Sequence, residues 1–249
     1  MERSHRHEEL EMNLVRGGRA TYLLGRERIE LAPRSLVWFF PDEEHLLVET
    51  TPDFRMWLGI WQPDFPALLA REGGPAALAA RRGLVHHRRL PAVSFEGLSQ
   101  LCEAVSSSTP AAAQAAHRFL LHRAWQLFGE SPSEAGTDVH PAVARAASIL
   151  QEEQDLSVGE LARRLELTPD HLGRLFRKQL GLSLGEYRTR ERLLRVRERV
   201  SLGGADLTAA ALASGFGSYS AFYRAWKRAH GESPLQVLGR PVAPQPGPR

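Results

Sequence analysis

Two arginines, Arg174 and Arg224, stand fifty residues apart, and each lies two residues beyond an apolar anchor, Leu172 or Phe222. A guanidinium offers a planar fork of donors that bonds guanine O6 and N7, or a phosphate, at two points. Taken singly, either one is an exposed arginine. At matching places in two copies they suggest a duplicated reader of nucleic acid. The surrounding pattern repeats with them: Leu172, Arg174, Phe176 and Lys178 return as Phe222, Arg224, Trp226 and Arg228, and Gly181 and Ser183 return as Gly231 and Ser233. A preceding stripe, Val158, Leu161, Ala162 and Leu165, returns forty-nine residues on as Leu207, Ala210, Ala211 and Ser214. The odd residue falls in the turn Gly215–Ser218.

The elements that must position these arginines follow from local signals. Ser157-x-x-Glu160 is a capping box ahead of the first stripe. Thr168-Pro169 offers a hydroxyl cap followed by Pro at the first helical position, and Gly181 ends the helix. The reading is helix, tight turn, helix, twice over. The intervening segment Ser183–Val200 carries Arg188, Arg190, Arg192, Arg195, Arg197 and Arg199, with Tyr187, Leu194 and Val200 as a buried side, and reads as a rigid connecting helix. Two such units on a rigid spacer suit successive major grooves, roughly 34 Å apart on one face of a duplex.

Charge agrees with this placement. From His140 onward there are 17 Lys and Arg against 11 Asp and Glu, a net of +6, whereas residues 1–139 carry a net of −3. Only the C-terminal part is expected to meet a polyanion. No stretch of eighteen apolar residues is present, the charged N-terminus MERSHRHEEL does not read as a secretory signal, and a single cysteine, Cys102, excludes an internal disulfide framework and a Cys-rich zinc site. A cytoplasmic protein without a membrane partner is expected. No Gly-rich phosphate loop, nucleophile elbow or CxxC occurs, so the chain does not read as an enzyme.

The N-terminal part changes character along its length. Leu10, Met12 and Leu14 alternate with polar residues. Ala20–Leu24, Arg28–Leu31, Leu36–Phe40 and Arg55–Trp61 are further strand candidates between turn signals, which predicts an antiparallel barrel or sandwich. Helical spacing predicts helices over 94–107 and 111–129, whose apolar stripes suit either packing on the barrel or a dimer seam. His86-His87-Arg88-Arg89 reads as an exposed loop, and Trp38, Trp57 and Trp61 as core. The predicted organisation is a two-domain α+β chain: a strand-rich domain with helices suited to dimerisation over 1–129, a linker over 130–139, an all-α DNA-binding domain over 140–239 and a disordered Pro-rich tail over 240–249.

Residues 140–238 resemble the DNA-binding domain of the AraC/XylS family. The resemblance is carried by LSVGELARRLELTPDHLGRLFRKQLGLSLGEYRTRERL and by AALASGFGSYSAFYRAWKRAHGESPLQVL. Within the second stretch the signature positions are Gly215-Phe216, Ser220, Phe222, Arg224, Trp226-Lys227, Gly231 and Ser233-Pro234. Trp226 stands where Phe is usual, Ser233 where Thr is usual and Val237 where Tyr is usual. The resemblance implies base-facing positions at Asp170, Gly173 and Arg174 in the first reading helix, and at Tyr219, Ser220, Tyr223 and Arg224 in the second. Arg177, Lys178, Lys227 and Arg228 are then placed for phosphates. Double-stranded DNA is the implied partner, with RNA polymerase, a small-molecule effector and a second copy of the chain as further ones.

The first sixty residues resemble the cupin-like sensor barrel often joined to such a domain, through His5-x-His7-x-x-x-Glu11, Gly17, Pro33, Pro41 and His45. In metal-binding cupins such a set holds the ion, which implies His5, His7, Glu11 and His45 as ligands for zinc, manganese or iron. The competing reading makes residues 5, 7, 9 and 11 the solvated face of a strand. The leading functional expectation is an effector- or metal-controlled transcription regulator. The alternatives are a cupin metalloenzyme carrying a DNA-binding domain and a structural nucleoid protein.

Overall fold

The computed structural model describes residues 8–79, 86–153, 156–201 and 206–238. The chain divides into two compact units, residues 2–139 and the residues from His140 onward.

The first unit contains β1 (Leu10–Gly17), β2 (Ala20–Leu24), β3 (Glu27–Leu31), β4 (Ser35–Phe39), β5 (His45–Thr50) and β6 (Arg55–Trp61). They are followed by α1 (Asp64–Arg71), β7 (His87–Arg89), α2 (Ala92–Ser106), α3 (Pro110–Glu130) and β8 (Thr137–Asp138). The strands form two four-stranded sheets, ordered β6-β1-β4-β7 and β5-β2-β3-β8, and every pairing is antiparallel.

Alternation along β1 assigns its two faces. Leu10, Met12 and Leu14 are buried with Leu36, Trp38 and Trp61 against the apolar sides of α2 and α3, among them Leu98, Cys102, Leu121 and Phe128. Trp38 meets Trp125 edge-on at 5.7 Å and Phe128 at 6.4 Å. Val15, on the opposite face, joins Tyr22, Ile29, Leu31, Val37, Phe39 and Leu47 in a second core between the sheets. The two helical stripes are therefore spent on the first sheet.

Three expectations are corrected. The strands do not close into a barrel: among the described residues no ladder joins the two sheets, whose facing sides pack in the second core. The segment His86–Arg89 is not an exposed loop. His87–Arg89 forms β7 on β4, and His87 is buried. The segment 130–139 has linker composition but is hydrogen-bonded along the sheet edge. Thr137 and Asp138 pair with Arg28 and Glu27, and the Val139 N–H donates to the Arg26 carbonyl at 2.8 Å. Composition reports a stretch with little to bury, but an open strand edge offers backbone partners to any extended chain beside it. The tail 240–249 lies outside the described residues.

The second unit is helical: α4 (Pro141–Glu152), α5 (Val158–Arg164), α6 (Pro169–Leu180), α7 (Leu184–Ser201), α8 (Leu207–Ala213), α9 (Tyr219–His230) and α10 (Pro234–Leu238). Leu161, Ala162, Leu172, Phe176 and Tyr187 are buried in its first half. Leu193, Val196, Ala210, Ala211, Phe222 and Trp226 form the core of its second half. The 18 residues of α7 make a rod of about 27 Å at 1.5 Å per residue.

Two turn positions generate tests. In the α5–α6 turn Glu166 takes φ 57°, and its counterpart in the α8–α9 turn is Gly215 at φ 86°. The first copy thus holds a side chain in a region that favours glycine, at a cost of about 1–3 kcal/mol. Glu166→Gly is expected to stabilise the chain by up to about 1 kcal/mol, after the entropy that glycine adds to the unfolded state. Denaturant unfolding followed by circular dichroism reads this, and a loss of stability contradicts it. Gly18, at φ +68°, turns β1 into β2 so tightly that a Cβ would lie 2.5 Å from the backbone N and Cα of Phe54. Gly18→Ala should destabilise by about 2 kcal/mol or more in the same measurement.

Candidate nucleic-acid interface

Both reading helices are started and stopped by the same devices. At α6 the Thr168 hydroxyl accepts from the His171 N–H at 3.3 Å. At α9 the Ser218 hydroxyl accepts from the Ala221 N–H at 3.2 Å. Both stop at a glycine in the left-handed region, Gly181 at φ 81° and Gly231 at φ 73°. The N–H groups of these glycines donate to the Arg177 and Lys227 carbonyls, which closes each helix at the same turn.

The scaffold helices repeat likewise. Ser157 caps α5 and Asp206 caps α8. Behind each scaffold helix the chain folds back, the Leu167 N–H onto the Ala162 carbonyl and the Phe216 N–H onto the Ala211 carbonyl. These bonds align the turns up to Leu167 and Phe216, so the extra residue of the second copy is Gly217.

A further matched pair of caps follows each reading helix. The Ser183 N–H and hydroxyl donate to Glu186, whose own N–H donates to the Ser183 hydroxyl; Ser233 and Gln236 do the same fifty residues on. The bonds from Ser183 hold the Glu186 carboxyl below the usual carboxylate range. The repeat singles out the two serines but not their partners, although Ser-x-x-Glu and Ser-x-x-Gln are visible in the sequence as capping boxes.

The anchors fix which face of each helix is free. Leu172 and Phe176 on α6, and Phe222 and Trp226 on α9, are fully buried. Phe176 meets Tyr187 of α7 at 5.6 Å, and Phe222 meets Phe216 of the preceding turn at 5.5 Å. Asp170, Arg174, Arg177 and Lys178 are left exposed on α6, as are Ser220, Arg224, Lys227 and Arg228 on α9, while Tyr219 and Tyr223 are half-buried. Tyr219 leans on Phe222 at 5.6 Å, so part of its ring is committed to the core. A Cβ built at Gly173 meets nothing within 4 Å, so nothing in the protein's own packing demands a glycine there.

The arginines of α7 do different work. Arg188 donates to the Leu156 carbonyl and Arg195 to the Gln151 carbonyl. Arg195 brings positive charge to the C-terminal end of α4, where helix carbonyls lack partners, and Arg188 ties down the chain just before α5. These two arginines therefore hold scaffold.

In the N-terminal unit, the implied ligand set is only partly within view. His5 and His7 lie outside the described residues. Glu11 and His45 are buried together on the face between the sheets, with His45 Nε2 3.9 Å from Glu11 Oε2. Asn13 Nδ2 donates to Glu11 Oε1 at 2.7 Å, and the His45 ring stacks on Phe39 at 4.1 Å. Burial, then the Glu11 charge, push the Tyr22 phenol far above its usual value, so it stays protonated. Glu11 is thus no part of a solvated face, which corrects that alternative: β1 is covered on both sides. Among the described residues no group of three or more His, Cys, Asp and Glu side chains is arranged to hold a metal ion.

Arg224 and Lys227 are both exposed on α9, and the roles expected of them differ. Arg224→Ala should relax selectivity at one base pair, at a cost of about 1–3 kcal/mol. Lys227→Ala should weaken all duplexes alike. Selection from a randomised duplex pool with each variant distinguishes these outcomes, and an unchanged preferred sequence in Arg224→Ala refutes the face assigned to α9. Replacing the cap in Thr168→Ala or Ser218→Ala should cost about 1 kcal/mol of unfolding free energy, readable by denaturation.

Comparison with known proteins places these features. Residues 1–128 match the family model described as AraC-like ligand binding domain, and residues 161–240 match that described as helix-turn-helix domain. The structure resembles apo ToxT from Vibrio cholerae with a TM-score of 0.50 at 11% identity, covering 96% of this chain and 92% of that one. Unsaturated fatty acid-bound ToxT from the same organism aligns with a TM-score of 0.48 at 13% identity, over 98% of this chain and 92% of that one. The C-terminal domain of AraT, a response regulator from Geobacillus stearothermophilus, aligns with a TM-score of 0.40 at 24% identity, over 45% of this chain and 95% of that one. No curated protein sequence matches the chain. With a ligand-binding model over its first half and a helix-turn-helix model over its last third, the chain belongs to the AraC family of transcription regulators.

Proposed function

We propose that this regulator reads duplex DNA with α6 and α9 and answers to a small molecule held by its N-terminal unit. The observation that carries the DNA reading is the matched pair of exposed faces. Arg174, Arg177 and Lys178 stand opposite buried Leu172 and Phe176, and Arg224, Lys227 and Arg228 stand opposite buried Phe222 and Trp226. In this reading residues 1–129 sense, 130–139 connect, and 140–239 bind DNA. Arg174 and Arg224 touch base edges, helped by Asp170, Tyr219, Ser220 and Tyr223. Arg177, Lys178, Lys227 and Arg228 hold phosphates. RNA polymerase is the partner through which occupancy of a promoter becomes transcription.

A homodimer belongs to this reading too. With the stripes of α2 and α3 spent on the sheet, its support is Phe119 of α3, which remains 60% exposed. Sedimentation of the full chain, with Phe119→Arg as the dissociating variant, tests it. Cys102 is buried, and burial pushes its thiol up to about 12, which suits a structural residue and not a redox one. No helix among the described residues is long and apolar enough to cross a membrane. A DNA partner fits the cytoplasm.

Salt dependence tests the DNA reading directly. Each phosphate neutralised adds about −0.9 to the slope of log affinity against log salt, so four phosphate contacts predict a slope of about −3.6. Lys227→Ala should make that slope shallower by about 1. Fluorescence anisotropy with a selected duplex measures both, and a slope near zero overturns the reading.

A further inference from the structure

A cleft of about 460 Å³ opens in the N-terminal unit, away from the core between the sheets. Its position follows from strand alternation. Tyr22, Ile29 and Leu31 are part of the inter-sheet core, so Thr21, Arg28 and Glu30 project from the opposite face of the second sheet. Thr21 pairs with Glu30 on one side and with Glu49 on the other, which lays both carboxylates in one cross-strand row. The tight turn at Gly18 brings Arg19 to the rim, where its N–H donates to the Thr51 hydroxyl at 2.8 Å. Arg89 of β7 and Glu134 complete the lining.

The cleft therefore presents three guanidinium groups, of Arg19, Arg28 and Arg89, and three carboxylates, of Glu30, Glu49 and Glu134. Arg28 pairs with Glu30, but its Nε is buried with no hydrogen-bond partner. Among the described residues no ion pair or side-chain hydrogen bond engages the guanidinium groups of Arg19 and Arg89. Glu134 has His87 Nε2 at 3.7 Å. Burial holds that imidazole below its usual range despite the pull of Glu134, so near neutral pH it leaves the carboxylate charge uncompensated. A simple anion entering here would meet three carboxylates, and a simple cation would meet three guanidinium groups. A molecule carrying both charges satisfies each sign at once.

We propose that this cleft binds a small zwitterion of the amino-acid class, its carboxylate held by the free arginines and its ammonium by the glutamates. Its size lies within the range of small-molecule sites. Glu134 gives the site a regulatory consequence, which rests on the function proposed above. It belongs to the segment that Ser133, through its bridge to Arg88, and Thr137–Asp138, through β3, fasten to the sheets immediately before α4. A ligand spanning Arg89 and Glu134 ties that segment to the sensor unit.

The test uses the full chain. The common L-amino acids are titrated one by one by calorimetry, with melting temperature as a second readout. Single-charge controls accompany them: acetate and inorganic phosphate for the anion, and an alkylamine for the cation. At least one amino acid should bind and raise the melting temperature with concentration, and each control should bind about tenfold more weakly or worse. Arg89→Ala and Glu134→Gln should each cut affinity about tenfold. Neither is expected to disturb the fold, since Arg89 is exposed, its side chain is engaged by none of the described residues, and glutamine preserves the shape of glutamate. Failure of every amino acid to bind, equal binding of phosphate or acetate, or undiminished binding in both variants would each overturn the proposal. Anisotropy with a selected duplex separates the regulatory step: binding that leaves DNA affinity unchanged retains the site and overturns the coupling, whereas absence of any DNA binding overturns the function reading alone.

Discussion

The reading helices depend on one packing constraint. Each is held by two large side chains four residues apart, Leu172 with Phe176 and Phe222 with Trp226, all fully buried. Residues i and i+4 share a face, so burying this pair fixes the rotation of the helix about its axis. The exposed arginines and lysines then have no choice of direction. Capping fixes the remaining freedom, because a helix that begins at a bonded hydroxyl and ends at a left-handed glycine can neither slide nor fray by a turn. A reader of base edges needs both, since a helix rotated by one residue would present different side chains to the groove.

Duplication shows which features that constraint requires. Thr168 becomes Ser218, Glu186 becomes Gln236, and Phe176 becomes Trp226, so the hydroxyl, the acceptor and the large ring persist while their identities drift. The one inserted residue, Gly217, sits between the fold-back bond of Phe216 and the cap of Ser218, where it disturbs neither. The shared rod α7 contributes Tyr187 to the first half and Leu193 with Val196 to the second. Both halves of the helical unit are thus built on one helix.

The N-terminal unit obeys a different rule. Its sheets place one face of β1 against helices and the other against the second sheet, so every residue from Leu10 to Val15 is buried, Glu11 and Asn13 included. A carboxylate removed from water needs hydrogen-bonding partners, and Asn13 supplies one to Glu11. At the edge, the open side of β3 takes up Thr137–Asp138 as a hydrogen-bonded strand.

The sequence by itself determined the duplicated helical unit, the caps at Ser157 and Thr168 and the residues facing outward, because helix periodicity and cap chemistry are local and a repeat doubles every signal. It also determined that α2 and α3 are amphipathic, while leaving open what their stripes meet. Tertiary structure decided that they meet the first sheet, that His87 and Glu11 are buried, that Ser133–Asp138 lies along a sheet edge, and that Arg19, Arg28 and Arg89 share one cleft. Those outcomes depend on which strands become neighbours. That choice is made by long-range packing and by unpaired strand edges, and neither leaves a period in the chain.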